Sequence, residues 1–283
     1  MIYYRPSHLT ECLELLRELP EVDCRILAGG TDLLPRMEAP ASFPEHLIDI
    51  KGISDLHQIS ASKETLTIGA LVTMEELRND PTIQSEFAAL HQALEQFAGV
   101  QIRNRATLGG NICNASPAGD CLPALYAFEA QVVLVGPRGQ RQLPIRNFIQ
   151  APGRTTRHPH CLLHSIQLPR QGLDSAFFKL GLRDSMAISV VNLATVYELG
   201  SAGFTGLVMA AGAVGPTVAL LDHFTQAILS GSELNAETLD LIDTDIAPID
   251  DIRGTASYRS RVLKNICRAQ LTEIMNHTLP VQQ

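Results

Sequence analysis

Two short glycine-containing segments are the residues of this 283-residue chain most able to do chemistry. The first reads AGGTD at 28–32 and follows a short apolar run; the second reads TLGGN at 107–111 and leads into a Ser/Pro/Asp turn. Without side chains at such a pair, backbone N–H groups approach an anion closely, and a helix that begins there adds its positive end. One pair alone most often serves only as a tight turn. Two pairs, each followed by a small polar residue, predict two loops that hold the two phosphates of a dinucleotide.

The motifs of other nucleotide and metal sites are missing from the sequence. Neither segment reads G-x-G-x-x-G, and neither carries a Walker lysine, so the cradle must be of a different type. The six cysteines are scattered without a C-x-x-C pair, which argues against a structural zinc or iron–sulfur site and favours free thiols. No carboxylate pair or nucleophile–histidine arrangement suggests a catalytic residue.

Composition and charge narrow the class of protein. A net charge of −8 and a pI near 5.6 argue against nucleic acid or an anionic membrane as the main partner. No apolar stretch approaches the roughly 20 residues that a membrane span needs. The first residues lack a cationic segment followed by an apolar one, so the sequence predicts no export signal and a cytoplasmic location.

Regular elements are predicted around both segments. Leucines at helical spacing predict a helix over 9–19 with Ser7 as its N-cap, and strands over 24–28 and 47–50 flank the first segment. A strand over 65–69, a helix capped by Thr73 and a longer helix ending at Gly99 precede the second segment. A helix over 123–130 and a hairpin about the turn 137–139 follow it.

The remainder predicts a separate domain. Strands over 175–182, 188–198 and 205–214 are followed by helices over 236–243 and 255–277. We therefore expect a domain over 1–168, with lobes over about 1–53 and 54–168, and a second domain over 169–283.

Five segments together resemble one known family, the FAD-binding medium subunits of molybdenum hydroxylases such as xanthine dehydrogenases and carbon monoxide dehydrogenase. The resemblance covers nearly the whole chain and implies an α+β fold: a two-lobed FAD-binding domain of the vanillyl-alcohol-oxidase (PCMH) type, followed by a smaller α+β C-terminal domain with a three-stranded antiparallel sheet plus helices. The segments are ILAGGTDLLP (26–35), LIDI (47–50), QIRNRATLGGNICNASPAGDCLPAL (101–125), FFKLGLRDSMAIS (177–189) and DIRGTASYR (251–259).

The resemblance implies a non-covalently bound FAD and a set of residues around it. Asp120 would bind the ribose or adenine end, the backbone of Leu163 the adenine, and Lys179 the flavin region, although Lys179 could equally be a solvated lysine at a strand edge. Cys113 would lie near the flavin ring, more simply as an apolar filler than as a redox group. The implied cofactor-binding residues are Leu27, Ala28, Gly29, Gly30, Thr31, Asp32, Leu33, Leu34, Thr107, Gly109, Gly110, Asn111, Ile112, Cys113, Asn114, Asp120, Leu163 and Lys179.

The sequence allows two roles for each of four further residues. Arg103 and Arg105 lie either near the FAD phosphates or in surface ion pairs. Arg253 and Tyr258 either bind a partner subunit or only fix the last helix.

The function implied by the resemblance is electron transfer in an oxidoreductase. Substrate would be hydroxylated at a molybdenum cofactor in a large partner subunit, and electrons would cross two [2Fe–2S] clusters in a small partner subunit. They would reach FAD in this chain and leave to NAD⁺ or another acceptor. Two alternatives are a free-standing flavoprotein oxidase and a flavin-free assembly subunit of the same fold.

Overall fold

The computed structural model describes residues 1–37, 43–201 and 203–278 and shows a mixed α+β protein. Short 3₁₀ turns cover Ile50–Gly52 and Ser54–His57. The helices are α1 (Leu9–Glu18), α2 (Leu33–Arg36), α3 (Met74–Asn79), α4 (Pro81–Glu86), α5 (Ala88–Glu95), α6 (Val100–Arg103), α7 (Leu108–Asn114), α8 (Cys121–Ala127), α9 (Ile145–Phe148), α10 (Asp222–Leu229), α11 (Ala236–Asp240), α12 (Ile242–Asp245) and α13 (Ala256–Thr278). The strands are β1 (Ile2–Tyr4), β2 (Cys24–Leu27), β3 (His46–Asp49), β4 (Ile59–Ala61), β5 (Thr65–Gly69), β6 (Gln131–Gly136), β7 (Gly139–Pro144), β8 (Ile149–Ala151), β9 (Arg154–Thr155), β10 (Leu162–Pro169), β11 (Asp174–Gly181), β12 (Ser189–Gly200), β13 (Gly203–Gly212) and β14 (Ala219–Leu220).

The chain forms two compact units, and each unit gathers separate stretches of sequence. The domain boundary at residue 168 stays a prediction, because a compact unit can draw segments from two sequence domains. Unit 1 comprises Met1–Asn79, Ala98–Ser116 and Glu129–Arg170, and unit 2 comprises Asp80–Phe97, Pro117–Phe128 and Gln171–Gln283.

A three-stranded parallel sheet in unit 1 carries the first glycine segment. The strand order is β1-β3-β2, with Leu27 opposite Asp49 at the carboxyl ends of β2 and β3. Cys12 and Leu16 of α1 are buried in the same apolar cluster as Ile48. The segment 28–32 therefore leaves the sheet from a strand end that packing holds in place.

The predicted α1 helix is present, but its predicted cap is wrong. His8, not Ser7, occupies the N-cap position, and its side chain makes no capping hydrogen bond. The backbone N–H of Ser7 instead donates to Glu11 Oε2 at 2.9 Å. A glutamate one turn into the helix thus satisfies the entering chain, which a search for Ser or Thr at the cap does not detect.

A second, five-stranded sheet in unit 1 lies next to the second glycine segment. Its strands run antiparallel in the order β4-β5-β10-β6-β7. The predicted β6–β7 hairpin is confirmed, and Gly139 adopts a positive φ of 91° at its turn. The register of β10 against β6 shifts between Leu163 and Ser165. Just after β5, the carbonyls of Ala70 and Val72 accept hydrogen bonds from the start of α7.

Unit 2 is built on an antiparallel sheet in the order β11-β12-β13-β14. The three predicted strands are present, and β14 adds a two-residue fourth strand too short to leave a periodic signal. Strand β12 is buried over its first eight residues, so it reads as a nearly continuous apolar run instead of an alternating pattern. Leu193 belongs to an apolar cluster with residues of α10, α11, α12 and α13, while α8 also contacts β12.

Some of the observed helices differ from the predicted ones. The long helix expected to end at Gly99 is observed as α5, which ends at Glu95, and a separate helix, α4, which Asp80 caps, precedes it. Ala98 then adopts a positive φ of 41°, which a continuing helix does not allow. Helix α10 was not predicted. None of the helices within the described ranges combines the length and the hydropathy that a membrane span needs.

Candidate functional site

The first glycine segment ends a strand and opens a helix, as predicted. Gly30 has a φ of 79°, a left-handed conformation that favours glycine, and its carbonyl accepts the N–H of Leu34 at 3.1 Å to start α2. Within the described part of the chain, outside helices and strands, no backbone hydrogen bond is donated by Gly29, Gly30, Thr31 or Asp32. The segment therefore presents unpaired donors, the chemistry that a phosphate group needs.

The second segment begins α7, with Thr107 as N-cap. Its N–H groups are already in use: Gly109 donates to the Ala70 carbonyl at 3.0 Å, and Gly110 donates to Thr107 Oγ1 at 3.1 Å. A Cβ on Gly109 would meet the Cβ of Ala70 at 2.6 Å, so internal packing requires this glycine. This segment differs from the first because it offers bare surface and side chains to a ligand instead of free backbone donors.

The two segments lie against each other in unit 1. A Cβ on Gly29 would stand 1.9 Å from the carbonyl oxygen of Arg105, and a Cβ on Gly110 would stand 3.9 Å from the Cβ of Ala28. Only glycine permits the first approach, since the clash is with backbone atoms. The condition on which the dinucleotide hypothesis depends, adjacency of the two glycine pairs, is met.

A side-chain bridge joins the two segments a second time. Arg36 of α2 pairs with Asp32 through Nε–Oδ2 at 2.9 Å and NH2–Oδ1 at 3.1 Å, and its NH2 group also donates to Asn114 Oδ1 at 3.2 Å. Asp32 and Asn114, both predicted cofactor residues, thus meet through an arginine that the sequence did not single out.

One buried polar atom beside the glycines has no partner. Asn111 Oδ1 is inaccessible and accepts no hydrogen bond within the described residues. Because an unpaired buried amide oxygen costs about 1–3 kcal/mol, such an atom is typical of a site completed by a ligand. The unpaired donors of 28–32 and this acceptor fit a dinucleotide that carries both phosphates and hydroxyl groups.

The apolar members of the predicted set occupy different surroundings. Ile112 is fully buried, and Leu163 is buried at the β10 irregularity. Leu34 is exposed, with its side chain against Gly30. Desolvation raises the pKa of the Cys113 thiol to about 11, so this cysteine stays protonated at neutral pH.

Asp120 and Lys179 form a buried ion pair in unit 2. Lys179 Nζ lies 2.6 Å from Asp120 Oδ2, and Asp120 Oδ1 accepts the hydroxyl of Ser189 at 2.7 Å. Asn192 Nδ2 lies 3.4 Å from the same oxygen. Burial raises the pKa of the Asp120 carboxyl, and the Lys179 ammonium opposes that shift. The interpretation of Lys179 as a solvated lysine is wrong, because its side chain is only 5% exposed.

The structure shows the surroundings of three residues whose roles the sequence left open. Arg103 Nε lies 2.5 Å from Glu75 Oε2, and Arg103 NH1 donates to the Ala98 carbonyl, so this arginine is engaged inside unit 1. Arg253 pairs with Asp251 at 2.8 Å in the turn before α13. Tyr258 is partly exposed.

Sequence reasoning missed a polar network beneath the first segment. Asp49, at the end of buried β3, accepts Tyr3 OH at 2.5 Å and Lys51 Nζ at 2.8 Å. Burial alone would raise the pKa of Asp49, but the hydrogen bonds from Lys51 and Tyr3 lower it. Lys51 Nζ also lies 3.3 Å from the Ala28 carbonyl. An acidic residue inside the apolar run LIDI was the available signal.

A groove of about 720 Å³ opens elsewhere in the molecule, within unit 2. Its lining includes Phe177, Tyr197 and Ile266, and none of the predicted cofactor residues belongs to it. The groove therefore shares no lining residue with the predicted cofactor-binding set.

Comparison with known protein families agrees with this geometry. Residues 1–171 match the family described as FAD binding domain in molybdopterin dehydrogenase, and residues 176–274 match the CO dehydrogenase flavoprotein C-terminal domain. The chain belongs to this family of flavoprotein subunits. The predicted family, fold class, FAD cofactor and oxidoreductase class are thereby confirmed.

Individual relatives cover nearly the whole chain. The putative xanthine dehydrogenase FAD-binding subunit XdhB of Escherichia coli K12 is 32% identical, over 96% of this chain and 94% of the relative. The carbon monoxide dehydrogenase medium chain of Hydrogenophaga pseudoflava is 31% identical over 95% of each chain. A solved structure of carbon monoxide dehydrogenase from H. pseudoflava superposes with a TM-score of 0.87 at 29% identity, covering 95% of this flavoprotein subunit and 96% of that chain.

Proposed function

We propose that this flavoprotein subunit binds one FAD non-covalently and transfers electrons within a molybdenum-dependent hydroxylase of the xanthine dehydrogenase type. The observation that carries the proposal is the direct approach of the two glycine segments, with unpaired N–H groups on one and the unpaired Asn111 oxygen on the other. The relatives named as FAD-binding subunits or medium chains of dehydrogenases support it.

On this proposal, different segments of the chain bind different parts of FAD. Within the proposed stretch from Leu27 to Leu34, the unpaired N–H groups of Gly29 to Asp32 would donate to the diphosphate, and Thr31 would add a hydroxyl. The second segment contributes the Asn111 side chain and the bare surface of Gly110. Asp120, Leu163 and Lys179 remain proposed contacts to the ribose, adenine and flavin regions. When bound, FAD supplies electron transfer in one-electron or two-electron steps, and the protein binds and orients it.

The partners on this proposal are a large subunit with the molybdenum cofactor and a small subunit with [2Fe–2S] clusters. Electrons would arrive from the clusters and leave to NAD⁺ or another acceptor. The names of two relatives, a 6-hydroxypseudooxynicotine dehydrogenase complex subunit and a caffeine dehydrogenase subunit, fit a multi-subunit enzyme.

A cytoplasmic location is part of the proposal. All six cysteines are free, and three of them, Cys12, Cys121 and Cys267, are buried. Free thiols of this kind fit a reducing compartment.

Affinity purification of the tagged chain from its native host tests the proposal. We expect a yellow preparation that releases FAD on denaturation, contains molybdenum and iron by elemental analysis, and contains two further polypeptides. FAD without partner chains would favour a free-standing oxidase. Partner chains without FAD would favour the flavin-free assembly subunit.

A further inference from the structure

Lys51 lies directly beneath the first glycine segment. Its ammonium group is 2.8 Å from Asp49 Oδ1 and 3.3 Å from the carbonyl oxygen of Ala28. Ala28 is the residue immediately before the glycine pair, so this contact reaches the peptide unit at which the unpaired N–H groups begin.

The geometry of that peptide unit gives the contact a consequence. In a trans peptide the carbonyl and the N–H point in opposite directions and lie in one plane. No cis peptide bond occurs among the described residues. Holding the Ala28 carbonyl toward Lys51 therefore turns the Gly29 N–H away from Lys51, and glycine at 29 and 30 otherwise leaves the backbone unusually free to rotate.

The lysine is itself held in place. Asp49 is buried, with a side chain only 5% exposed, and accepts the Lys51 ammonium, the Lys51 backbone N–H at 3.0 Å and the Tyr3 hydroxyl. The carboxylate neutralises the ammonium. Lys51 consequently acts on the Ala28 peptide as a fixed hydrogen-bond donor more than as a net charge.

We infer that Lys51 is a positioning residue for the dinucleotide site: it orients the Ala28–Gly29 peptide so that the following N–H groups face the diphosphate. The inference rests on the proposed FAD function. It assigns a role to a residue outside both glycine segments, on the neighbouring strand end.

The test compares three variants of the full chain. Lys51→Met keeps the aliphatic stem but leaves Asp49 buried without its partner, so its stability will fall. The double variant Asp49→Asn/Lys51→Met removes both charges and keeps the net charge. Lys63→Met removes an exposed lysine of unit 1 and is the matched control.

FAD affinity and thermal stability are measured separately, by flavin-fluorescence titration of the apoprotein and by thermal unfolding without FAD. We expect the double variant to regain most of the wild-type Tm while its FAD dissociation constant stays about tenfold above that of Lys63→Met, the effect of one lost hydrogen bond to a charged group. A dissociation constant within twofold of the control, whatever the Tm, would overturn the inference. If the wild-type chain binds no FAD, the proposed function fails as well, and the two failures are distinguishable.

Discussion

At the residue scale, Asp120 and Lys179 form a buried ion pair in unit 2 whose two charges carry a large desolvation cost. Both side chains are at least nine-tenths buried, and the resemblance to the flavoprotein family implies cofactor contacts for both. Each charge depends on the other, because a buried ion that loses its partner keeps its full desolvation cost. The structural role of this pair is measurable without the cofactor.

Lys179→Met should destabilise the apoprotein by about 3–5 kcal/mol near neutral pH. Removing the ammonium raises the pKa of Asp120 further above its unfolded-state value. A carboxyl with a raised folded-state pKa destabilises at high pH, and the penalty disappears as the pH falls through that pKa and the group binds a proton. Urea unfolding at about pH 8 and about pH 5 should therefore show a smaller deficit at the lower pH.

The exposed Arg17 provides the control for this measurement. Its pair with Glu18 is solvated, so Arg17→Gln should change stability little at either pH. A Lys179→Met deficit that is the same at both pH values would show that the loss comes from packing and not from the unpaired carboxylate.

Substitutions at two glycines of the site should have different effects, one mainly on the stability of the apoprotein and the other mainly on FAD binding. Gly29→Ala places a Cβ against the Arg105 backbone, which cannot move aside, so unfolding of the apoprotein should become easier by several kcal/mol. In Gly110→Val the new Cβ comes within 2.8 Å of the Thr107 hydroxyl and disturbs one cap, a loss of about 1 kcal/mol, and the side chain fills space beside Ala28. Its main effect should be weaker FAD binding. Equal losses of Tm in the two variants would contradict this division.

At the element scale, α3 shows how local sequence positions a helix near the site. Thr73 Oγ1 accepts the N–H of Glu76 at 3.2 Å, and Glu76 Oε2 accepts the N–H of Thr73 at 2.8 Å, a reciprocal capping box. An isolated bridge pairs Thr73 with Thr107, the cap of α7. The cap that the sequence predicted thus also contacts the element that carries the second glycine pair.

Thr73→Ala should lower the free energy of unfolding by about 1 kcal/mol, because the Glu76 N–H loses its side-chain acceptor. Chemical denaturation with the m-value held constant measures the change. Ser85→Ala is the control: the exposed Ser85 hydroxyl bonds back to the Pro81 and Thr82 carbonyls within α4, and its removal should leave stability within about 0.5 kcal/mol of wild type.

The sequence predicts most elements around the site but not the contacts between them. Periodicity and turn residues locate β2, β3, the β6–β7 hairpin and the three long strands β11, β12 and β13, because these signals are local. The Lys51 contact with Ala28 and the Arg36 contact with Asn114 join residues 23 and 78 positions apart. Only the folded chain shows such pairs, and nothing in the spacing of either lysine or arginine marks them.

At the scale of the whole molecule, local sequence signals also do not show which segments form each of the two units. Helices α4, α5 and α8 lie within the first 130 residues, yet they belong to unit 2 with the C-terminal sheet. Helix α5 packs on β11, where the backbone N–H of Phe177 donates to Gln92 Oε1 at 2.7 Å. Amphipathic helix patterns predict that a face is buried but not which sheet buries it.

The final prediction concerns the whole chain and what it recognises. A ligand that binds only the folded state raises stability by about 2.7 kcal/mol at 100 times its Kd. In a chain of this size that amount corresponds to a Tm increase of roughly 5 °C. If the paired glycine segments bind the diphosphate, FAD should raise Tm most, FMN with its single phosphate less, and riboflavin least. Thermal unfolding with each flavin at one fixed concentration gives the ranking. Equal Tm increases for riboflavin and FAD would mean that recognition depends on the flavin ring alone and that the glycine segments do not bind a diphosphate.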